Sequence, residues 1–124
     1  MIAKQDEMKR FPVPGLCGGT GTAEFTLLFD RGVLPSNVVK VTLAPGASCG
    51  SHDHTEDTEL FYVLEGELCL LDDGVEHPLK AGDCEYCPVG HSHGAVNRSD
   101  KPASYLAVTF AAPPDADSRS DASV

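Results

Sequence analysis

The sequence predicts an all-β protein built as a sandwich or a small barrel of short strands. From Ala23 onward, apolar residues form short segments that lack the 3.6-residue period of a helix. Turn residues separate these segments at regular intervals. The clearest turn is Asp72-Asp73-Gly74 between LCLL and VEHPL, which is typical of a hairpin. Many short strands at such spacing favour two packed sheets or one closed sheet.

Nine strands are expected in chain order. Their ranges are 23–29, 37–43, 50–54, 59–65, 67–71, 76–80, 83–87, 93–97 and 103–110. The turns between them carry Gly, Pro or Asp, as in Ala44-Pro45-Gly46. The last strand contains the apolar run SYLAVTF, which would need cover from another strand or a second subunit if it formed a sheet edge.

Three segments are expected along the chain: an N-terminal arm over residues 1–23, one β domain over 24–110 and a disordered acidic tail over 111–124. A short turn of helix is predicted over Lys4–Arg10, followed by the Pro- and Gly-rich loop FPVPGLCGGTGT. The GGTG stretch does not fit a phosphate-binding loop, because no predicted strand precedes it and no Lys-Ser/Thr follows it.

Charge and hydropathy exclude two classes of partner. The formal net charge is −10, with 19 Asp+Glu against 9 Lys+Arg. Such a surface repels phosphate backbones and anionic lipid, so we expect no nucleic-acid partner and no membrane partner. The sequence has no apolar run near the ~20 residues of a membrane span and no signal-peptide core in MIAKQDEMKR, which favours a cytoplasmic location.

The five cysteines lack the spacing of a disulfide framework and are expected to be reduced thiols that act mostly as small hydrophobic residues. They are Cys17, Cys49, Cys69, Cys84 and Cys87. The last two form a C-x2-C pair. On a strand, positions three apart face opposite sides, and no second pair exists to complete a zinc site.

Residues 46–66, GASCGSHDHTEDTELFYVLEG, contain the candidate metal ligands. His52 and His54 have the same parity, so on a strand both imidazoles leave one face, with their Cα atoms about 7 Å apart. Together with the Glu59 carboxylate they suit a divalent first-row metal, and His93 offers a third imidazole. Taken alone, the two histidines could equally be a surface pair in the polar loop SHDHTEDTE.

Ten positions match two spaced motifs completely. The first is G-x5-H-x-H-x4-E-x6-G, met by Gly46, His52, His54, Glu59 and Gly66. The second is G-x5-P-x-G-x2-H-x3-N, met by Gly82, Pro88, Gly90, His93 and Asn97. These are the two motifs of the cupin superfamily, and the chain resembles a small single-domain cupin over about residues 24–110. Its Gly18-Gly19-Thr20-Gly21 stretch, its KVTLAPG segment and its ELFYVLEG segment are similar to the oxalate-decarboxylase-like group of small bacterial cupins.

The resemblance implies a double-stranded β-helix, or jelly roll, with a metal inside one end of the barrel. Matched residue by residue, the ligands would be His52, His54, Glu59 and His93. Three imidazoles and one carboxylate leave open positions on an octahedral ion, and manganese, iron, nickel, zinc and copper all fit. Positive φ angles are expected at Gly46, Gly66 and Gly90.

Four side chains are candidates for binding a substrate or moving a proton: Lys40, Tyr86, Tyr105 and His91. Lys40 could bind a carboxylate if its face of the strand lined the barrel, and a solvated lysine is the alternative. Each tyrosine is either a pocket hydroxyl or part of the core. His91 either lines the pocket mouth or is an exposed turn residue. Alternation along the strand predicts that Phe61 and Val63 face inward with Glu59, and that Leu60, Tyr62 and Leu64 face away.

Two classes of function follow. The first is a metalloenzyme that acts on a small oxygen-rich substrate, a carboxylate or sugar derivative, as an isomerase, decarboxylase or dioxygenase. The second is a non-catalytic module that binds metal and a small ligand as a sensor or storage protein. The open coordination positions favour the enzyme, although an arginine at an inward position, expected for oxalate decarboxylation, is not evident. As in many small cupins, a homodimer is expected.

Overall fold

The protein is built from two antiparallel β-sheets in a jelly roll, as the computed structural model describes it for residues 1–111. The predicted tail, apart from Ala111, lies outside these residues. The strands are β1 (Lys9–Pro14), β2 (Thr22–Leu27), β3 (Val38–Leu43), β4 (Ser48–Asp53), β5 (Asp57–Glu65), β6 (Glu67–Asp72), β7 (Val75–Lys80), β8 (Cys84–Cys87), β9 (Ser92–Val96) and β10 (Ala103–Ala111).

The larger sheet has the strand order β1-β2-β3-β10-β5-β8, and the smaller sheet has the order β4-β9-β6-β7. All nine predicted strands are present, with ends that differ by at most two residues. The chain changes sheet at six connections: β3–β4, β4–β5, β5–β6, β7–β8, β8–β9 and β9–β10. Side chains from both sheets can therefore meet between them.

The N-terminal segment differs from its prediction. A 3-10 turn covers only Gln5–Glu7, and the chain then forms β1, which pairs with β2 from Lys9↔Leu27 to Pro14↔Thr22. The sequence prediction missed this strand because Pro12 and Pro14 cannot donate to a sheet. An edge strand tolerates proline, and β1 lies at the edge of the larger sheet.

The apolar run SYLAVTF does not form a sheet edge. It belongs to β10, which lies between β3 and β5 and pairs with both of them. Its backbone groups are thus used within the fold, and the strand needs no second subunit to cover it. The edges of the larger sheet are β1 and β8.

The core lies between the sheets and follows the predicted alternation. Phe61 and Val63 on β5 are buried, whereas Tyr62 and Leu64 on the same strand are exposed. The remaining core side chains come from both sheets and include Val41, Leu43, Leu68, Leu70, Ala95 and Tyr105. Within residues 1–111, no helix is long and apolar enough to cross a membrane.

Turns at both ends of the barrel depend on residues of the two motifs. Gly46, Gly66 and Gly90 all have positive φ, as predicted. Gly66 is the most constrained, because a Cβ there would lie 2.8 Å from the carbonyl oxygen of Pro102. Asn97 is fully buried and donates from Nδ2 to the carbonyl oxygens of Leu43 and Lys101 at 2.9 and 2.7 Å. It thus ties the end of β9 to two other segments of the chain.

Candidate metal centre

Three strands from the two sheets bring the candidate ligands together. His52 is on β4, His93 on β9 and Glu59 on β5, and His54 follows β4 by one residue. A register shift between Cys49 and His52 places His52 directly opposite His93 in the smaller sheet. Glu59 enters from the larger sheet, so the four side chains converge between the sheets at one end of the barrel.

The four side chains meet through one atom each. The Nε2 atom of His93 lies 3.0 Å from Nε2 of His54 and 3.1 Å from Nε2 of His52. Oε1 of Glu59 lies 3.0, 3.2 and 3.5 Å from the Nε2 atoms of His93, His54 and His52. These four residues form a cluster that can hold a metal ion.

The opposite nitrogen of each imidazole already has a partner. Each Nδ1 lies at hydrogen-bond distance from an oxygen: His52 from the Gly50 carbonyl at 2.8 Å, His54 from Asp57 at 2.6 Å and His93 from Glu85 at 2.8 Å. A carbonyl oxygen and ionised carboxylates accept hydrogen bonds, so the imidazoles donate from Nδ1. Each neutral ring then directs the lone pair of Nε2 at the common centre, as metal-ligating histidines do.

The spacing of the four atoms fits a divalent ion. Ligands that bind one ion at about 2.0–2.1 Å in neighbouring octahedral positions lie about 3.0 Å apart. The separations of 3.0 to 3.5 Å in the cluster are close to that value. Lone pairs from three imidazoles cannot hydrogen-bond to one another, so a cation is the group that satisfies them together. Nitrogen and oxygen donors of this kind suit several first-row metals.

Without an ion, a proton within the cluster satisfies some of these lone pairs. Burial alone would lower the pKa of His93, but hydrogen bonds to Glu59 and Glu85 outweigh it and raise that pKa to about 9. Burial would likewise raise the pKa of Glu59, but hydrogen bonds to His52 and His93 lower it to about 2. The hydrogen bond to Glu59 also raises the pKa of His52. The carboxylates at the centre therefore attract a cation or a proton.

Two carboxylates that orient the imidazoles were not identified from the sequence. Glu85 is on β8, and the register Phe61↔Glu85 brings it beside His93. Burial raises the pKa of Glu85, and its Oε2 is buried with no hydrogen-bond partner among the described residues. Asp57, at the start of β5, orients His54. The contact of Glu85 with His93 depends on strand pairing, and that of Asp57 with His54 depends on the local chain direction. The two motifs specify neither.

Aromatic packing fixes the plane of His93. The Phe61 ring stacks on the imidazole, with 4.2 Å between ring centroids and an interplanar angle of 18°. Tyr105 packs on Phe61 as well, with 4.5 Å between the ring centroids. A fully buried imidazole held by a stacked ring and a carboxylate has little freedom to rotate, so its Nε2 is preorganised for a ligand.

A cavity of about 680 Å³ opens from the centre. Its walls are largely apolar and include Phe25, Leu27, Val39, Val41 and Ala107. Three members of the cluster, His52, His54 and Glu59, also line it. The other polar or thiol side chains in the lining are Cys17, Asp30, Arg31, Ser36, Asn37, Cys49, Asp57, Tyr105 and Thr109. Several of these come from the loop over residues 28–37 between β2 and β3.

Arg31 was not predicted from the sequence as a site residue. It lines the cavity, and its guanidinium carbon lies 5.6 Å from the centroid of the Phe11 ring on β1. Phe11 in turn contacts Phe25 on β2, with ring centroids 5.7 Å apart. The position of Arg31 depends on β1, the strand that the sequence prediction missed.

The four catalytic candidates lie in different places. Tyr105 lines the cavity and is buried, and burial raises its pKa well above the usual value. Lys40 is not part of the lining, because its neighbours Val39 and Val41 take the inward positions. Tyr86 is 49% exposed on β8. His91 is paired with Asp73 at 2.5 Å, outside the cavity lining.

The C-x2-C pair has the predicted geometry: Cys84 is exposed, Cys87 is buried, and the two face opposite sides of β8. All five cysteines are free thiols. Burial raises the pKa of Cys87 to about 12. Burial also raises the pKa of Cys49, which lines the cavity.

The motif residues, the two sheets and the cluster between them agree with one family. Residues 39–109 match the cupin domain family. The chain belongs to the cupin family. Among curated proteins, this cupin is 30% identical over 111 residues to an oxalate-binding protein of Thermotoga maritima, which covers 87% of this chain and 92% of that protein.

Solved structures agree with the fold of this cupin. A crystal structure of a predicted oxalate decarboxylase from Thermotoga maritima superposes with a TM-score of 0.84 at 29% identity, covering 90% of this chain and 99% of the other. A sugar phosphate isomerase of the cupin superfamily from Silicibacter pomeroyi gives a TM-score of 0.75 at 35% identity, covering 91% of this chain and 77% of the other.

Proposed function

We propose that this cupin binds a divalent transition metal through His52, His54, Glu59 and His93, and uses it to bind a small carboxylate in the cavity. The observation that carries the proposal is the convergence of three Nε2 atoms and Glu59 Oε1, 3.0 to 3.5 Å apart, at the base of that cavity. Three imidazoles and one carboxylate leave open positions on an octahedral ion for oxygen ligands. Manganese, iron, nickel, zinc and copper all suit the donor set.

The charges around the cavity favour an anionic ligand with two oxygen donors. A chain of net charge −10 repels anions at long range, so an anion needs attraction at the site itself. A bound divalent ion supplies a local positive charge and Lewis-acid positions for oxygen. Arg31 adds a guanidinium that can bind a second carboxylate group in a bidentate fashion.

The size of the cavity and the name of one relative support this ligand class. A volume of about 680 Å³ is in the usual range for small-molecule sites and leaves room for a ligand larger than oxalate. The Thermotoga maritima relative is named an oxalate-binding protein. We therefore propose a short dicarboxylate or a related hydroxy- or keto-acid, with one carboxylate at the metal and the other end toward Arg31.

Catalysis is the second candidate, and Tyr105 is the residue that favours it. Its side chain lines the cavity, and burial keeps its hydroxyl protonated by raising its pKa. A protonated hydroxyl can donate a hydrogen bond or a proton to a substrate oxygen but cannot act as a general base. Lys40, Tyr86 and His91 do not line the cavity, so among the earlier candidates the acid role falls to Tyr105. Isomerisation, decarboxylation and dioxygenation remain the reaction classes for such a centre.

We also propose a homodimer formed through the outer face of the larger sheet. Tyr62 and Leu64 on β5 and Tyr86 on β8 are 42%, 44% and 49% exposed. The register Tyr62↔Cys84 and Leu60↔Tyr86 makes these side chains neighbours on one face. A group of large apolar side chains on an outer face is typical of a protein interface. Sedimentation analysis tests it, and Tyr62→Glu should yield a monomer.

The first experiment is elemental analysis of the untagged protein, purified without added metal, beside the His52→Ala variant. We expect near-stoichiometric transition metal in the parent protein and little in the variant. Calorimetric titration with oxalate and with a longer dicarboxylate then tests ligand binding in the metal-loaded protein. Equal metal content in both proteins would overturn the site assignment. A full metal load without affinity for any carboxylate would overturn the ligand class.

A separate assay tests catalysis. The metal-loaded protein is incubated with each ligand that binds, and ligand loss is followed by chromatography. If Tyr105 is a proton donor, Tyr105→Phe lowers turnover while ligand affinity changes by less than about tenfold, because the ring and its packing remain. Tight binding without any turnover in the parent protein would leave the binding function and exclude the catalytic one.

A further inference from the structure

Cys17 and Cys49 come together at one wall of the cavity, although neither is one of the ten matched positions of the cupin motifs. The two sulfur atoms and a ring nitrogen of His52 all lie within 4.8 Å of one another. Sγ of Cys49 is 3.9 Å from Nδ1 of His52, and that nitrogen already donates to the Gly50 carbonyl. The two thiols are thus neighbours with no bond between them.

The backbone holds the two cysteines in this position. Cys17 belongs to the turn Leu16–Gly18, which lies directly against β4. A Cβ at Gly50 would lie 2.2 Å from the carbonyl oxygen of Cys17, and a Cβ at Gly19 would lie 2.2 Å from that of Ser48. Only glycine permits so close an approach of the two backbones, so the turn and the strand are fixed to each other at these positions.

Hydrogen bonds also hold the loop over residues 15–21 in place. The Gly15 amide donates to the Gly21 carbonyl at 3.0 Å, which joins the two ends of the loop. Thr20 donates from its backbone amide to Ser48 Oγ at 2.7 Å and from its hydroxyl to the Gly46 carbonyl at 2.9 Å. The GGTG stretch therefore positions the loop against the strand that carries His52.

The conformation and exposure of the two thiols differ. Cys17 has φ of +50°, a left-handed conformation that is uncommon for residues other than glycine, and its side chain is exposed. Cys49 is buried, with 4% of its surface exposed. An oxidant in solution therefore reaches Cys17 first, and Cys49 is the thiol placed to react with the product.

We propose that Cys17 and Cys49 form a reversible disulfide with a low-molecular-weight disulfide as the oxidant. The Cys17 thiolate attacks one sulfur of glutathione disulfide, the S–S bond breaks, and one glutathione leaves and takes up a proton. Cys49 then attacks the Cys17 sulfur and passes its proton to the second glutathione, which leaves as a thiol. The two cysteines lose two electrons and two protons, and the oxidant gains them as two thiols.

The disulfide links the 15–21 loop covalently to β4 at the cavity wall. Bond formation requires the sulfur atoms to approach to about 2.05 Å, and the exposed Cys17 side chain can rotate toward Cys49. The link closes a loop of about 30 residues and restricts the unfolded chain, so the oxidised protein has the higher melting temperature. The cavity wall beside His52 changes at the same time, because both sulfurs line it.

The test uses the full chain treated with a chelator, so that it does not depend on metal binding. The protein is incubated with glutathione disulfide, digested and analysed by mass spectrometry, with melting temperature as a second measurement. We expect a peptide pair linked through Cys17 and Cys49, a melting temperature several degrees higher, and reversal of both by dithiothreitol. Cys17→Ser should show neither change. The Cys69→Ser/Cys84→Ser double variant, the matched control, should show both.

The mixed disulfide between Cys17 and glutathione gives a further check, which does not depend on the stability of the Cys17–Cys49 disulfide. In Cys49→Ala, Cys17 should retain one glutathione, because the second thiol is absent. In the parent protein, a persistent mixed disulfide at Cys17 would overturn the proposal, since it would mean that Cys49 does not reach it. Five free thiols after oxidation, or a link that joins other cysteines, would overturn it as well.

Discussion

His91 lies just before β9 and His93 lies within it, and both are hydrogen-bonded to a carboxylate. Their surroundings differ. His93 is fully buried, donates from Nδ1 to Glu85 and directs Nε2 at two more imidazoles and Glu59. The His91 side chain is 41% exposed and pairs with Asp73 in the β6–β7 turn. A histidine–carboxylate pair can contribute to a metal-binding cluster where several imidazoles converge, as at His93, but not where it stands alone on the surface, as at His91.

The largest effect is expected when the metal content of two variants is compared, one that lacks an imidazole of the cluster and one that lacks the His91 imidazole. His52→Ala should lose most of its bound metal, whereas His91→Ala should keep it. His52 is preferred to His93 for this test, because its side chain is 23% exposed and its removal leaves a smaller gap in the core. Added metal should raise the melting temperature of the parent protein and of His91→Ala only, since an ion that binds the folded state stabilises it. Loss of metal from both variants would contradict the claim that His91 takes no part in metal binding.

The four candidate ligands could be predicted from the sequence, but several residues around them could not. The four ligands follow from fixed spacing, because spacing along strands determines which side chains share a face. Glu85 depends on the pairing of β5 with β8, and Asp73 on the way the β6–β7 turn meets β9, so neither partner follows from spacing alone. Arg31 depends on a long loop that β1 supports, and the prolines of β1 concealed that strand.

The next prediction concerns pH in the metal-free protein. His93 has its pKa raised from 6.5 to about 9, so its contribution to stability is complete below pH 6.5 and is lost as the pH rises through 9. Glu59 has its pKa lowered from 4.5 to about 2, so its contribution is present above pH 4.5 and is lost as the pH falls through 2. Stability should therefore be greatest between pH 4.5 and 6.5.

Shifts of this size correspond to a few kcal/mol, on the order of 3, shared between the two residues because they contact each other. Thermal melts of the chelator-treated protein across about pH 3 to pH 10 measure the effect. His91→Ala should keep the same profile, because His91 lies outside the cluster. A melting temperature that stays constant from pH 6.5 to 9 would contradict the role of His93.

A smaller effect is expected from the carboxylate behind His93. Glu85→Gln keeps an oxygen that accepts the Nδ1 hydrogen bond but removes the charge, and should weaken metal binding by roughly 10- to 100-fold. Asp73→Asn makes the same change beside His91 and should leave metal affinity unaltered. Competition titration against a chelator of known affinity measures both variants. Equal losses in the two would show that overall charge, rather than the contact with His93, governs affinity.

The smallest effect is expected for the stability of His91→Ala. Its pair with Asp73 is exposed, and such surface pairs contribute little, so the free energy of unfolding should change by less than about 1 kcal/mol. Urea denaturation of the metal-free protein provides the measurement. A larger loss would mean that the corner formed by the β6–β7 turn and β9 supports the barrel as strongly as the core does.

The stacked rings beside the centre give the protein an optical reporter of its own. The chain has three tyrosines and no tryptophan, so tyrosine alone determines its intrinsic fluorescence. Tyr62 and Tyr86 are exposed, whereas Tyr105 is buried and packs on the Phe61 ring that stacks on the His93 imidazole. A paramagnetic ion at the centre would quench the buried tyrosine more than the exposed pair. Binding of such an ion could then be followed without a label, and Tyr105→Phe would identify the emission that responds.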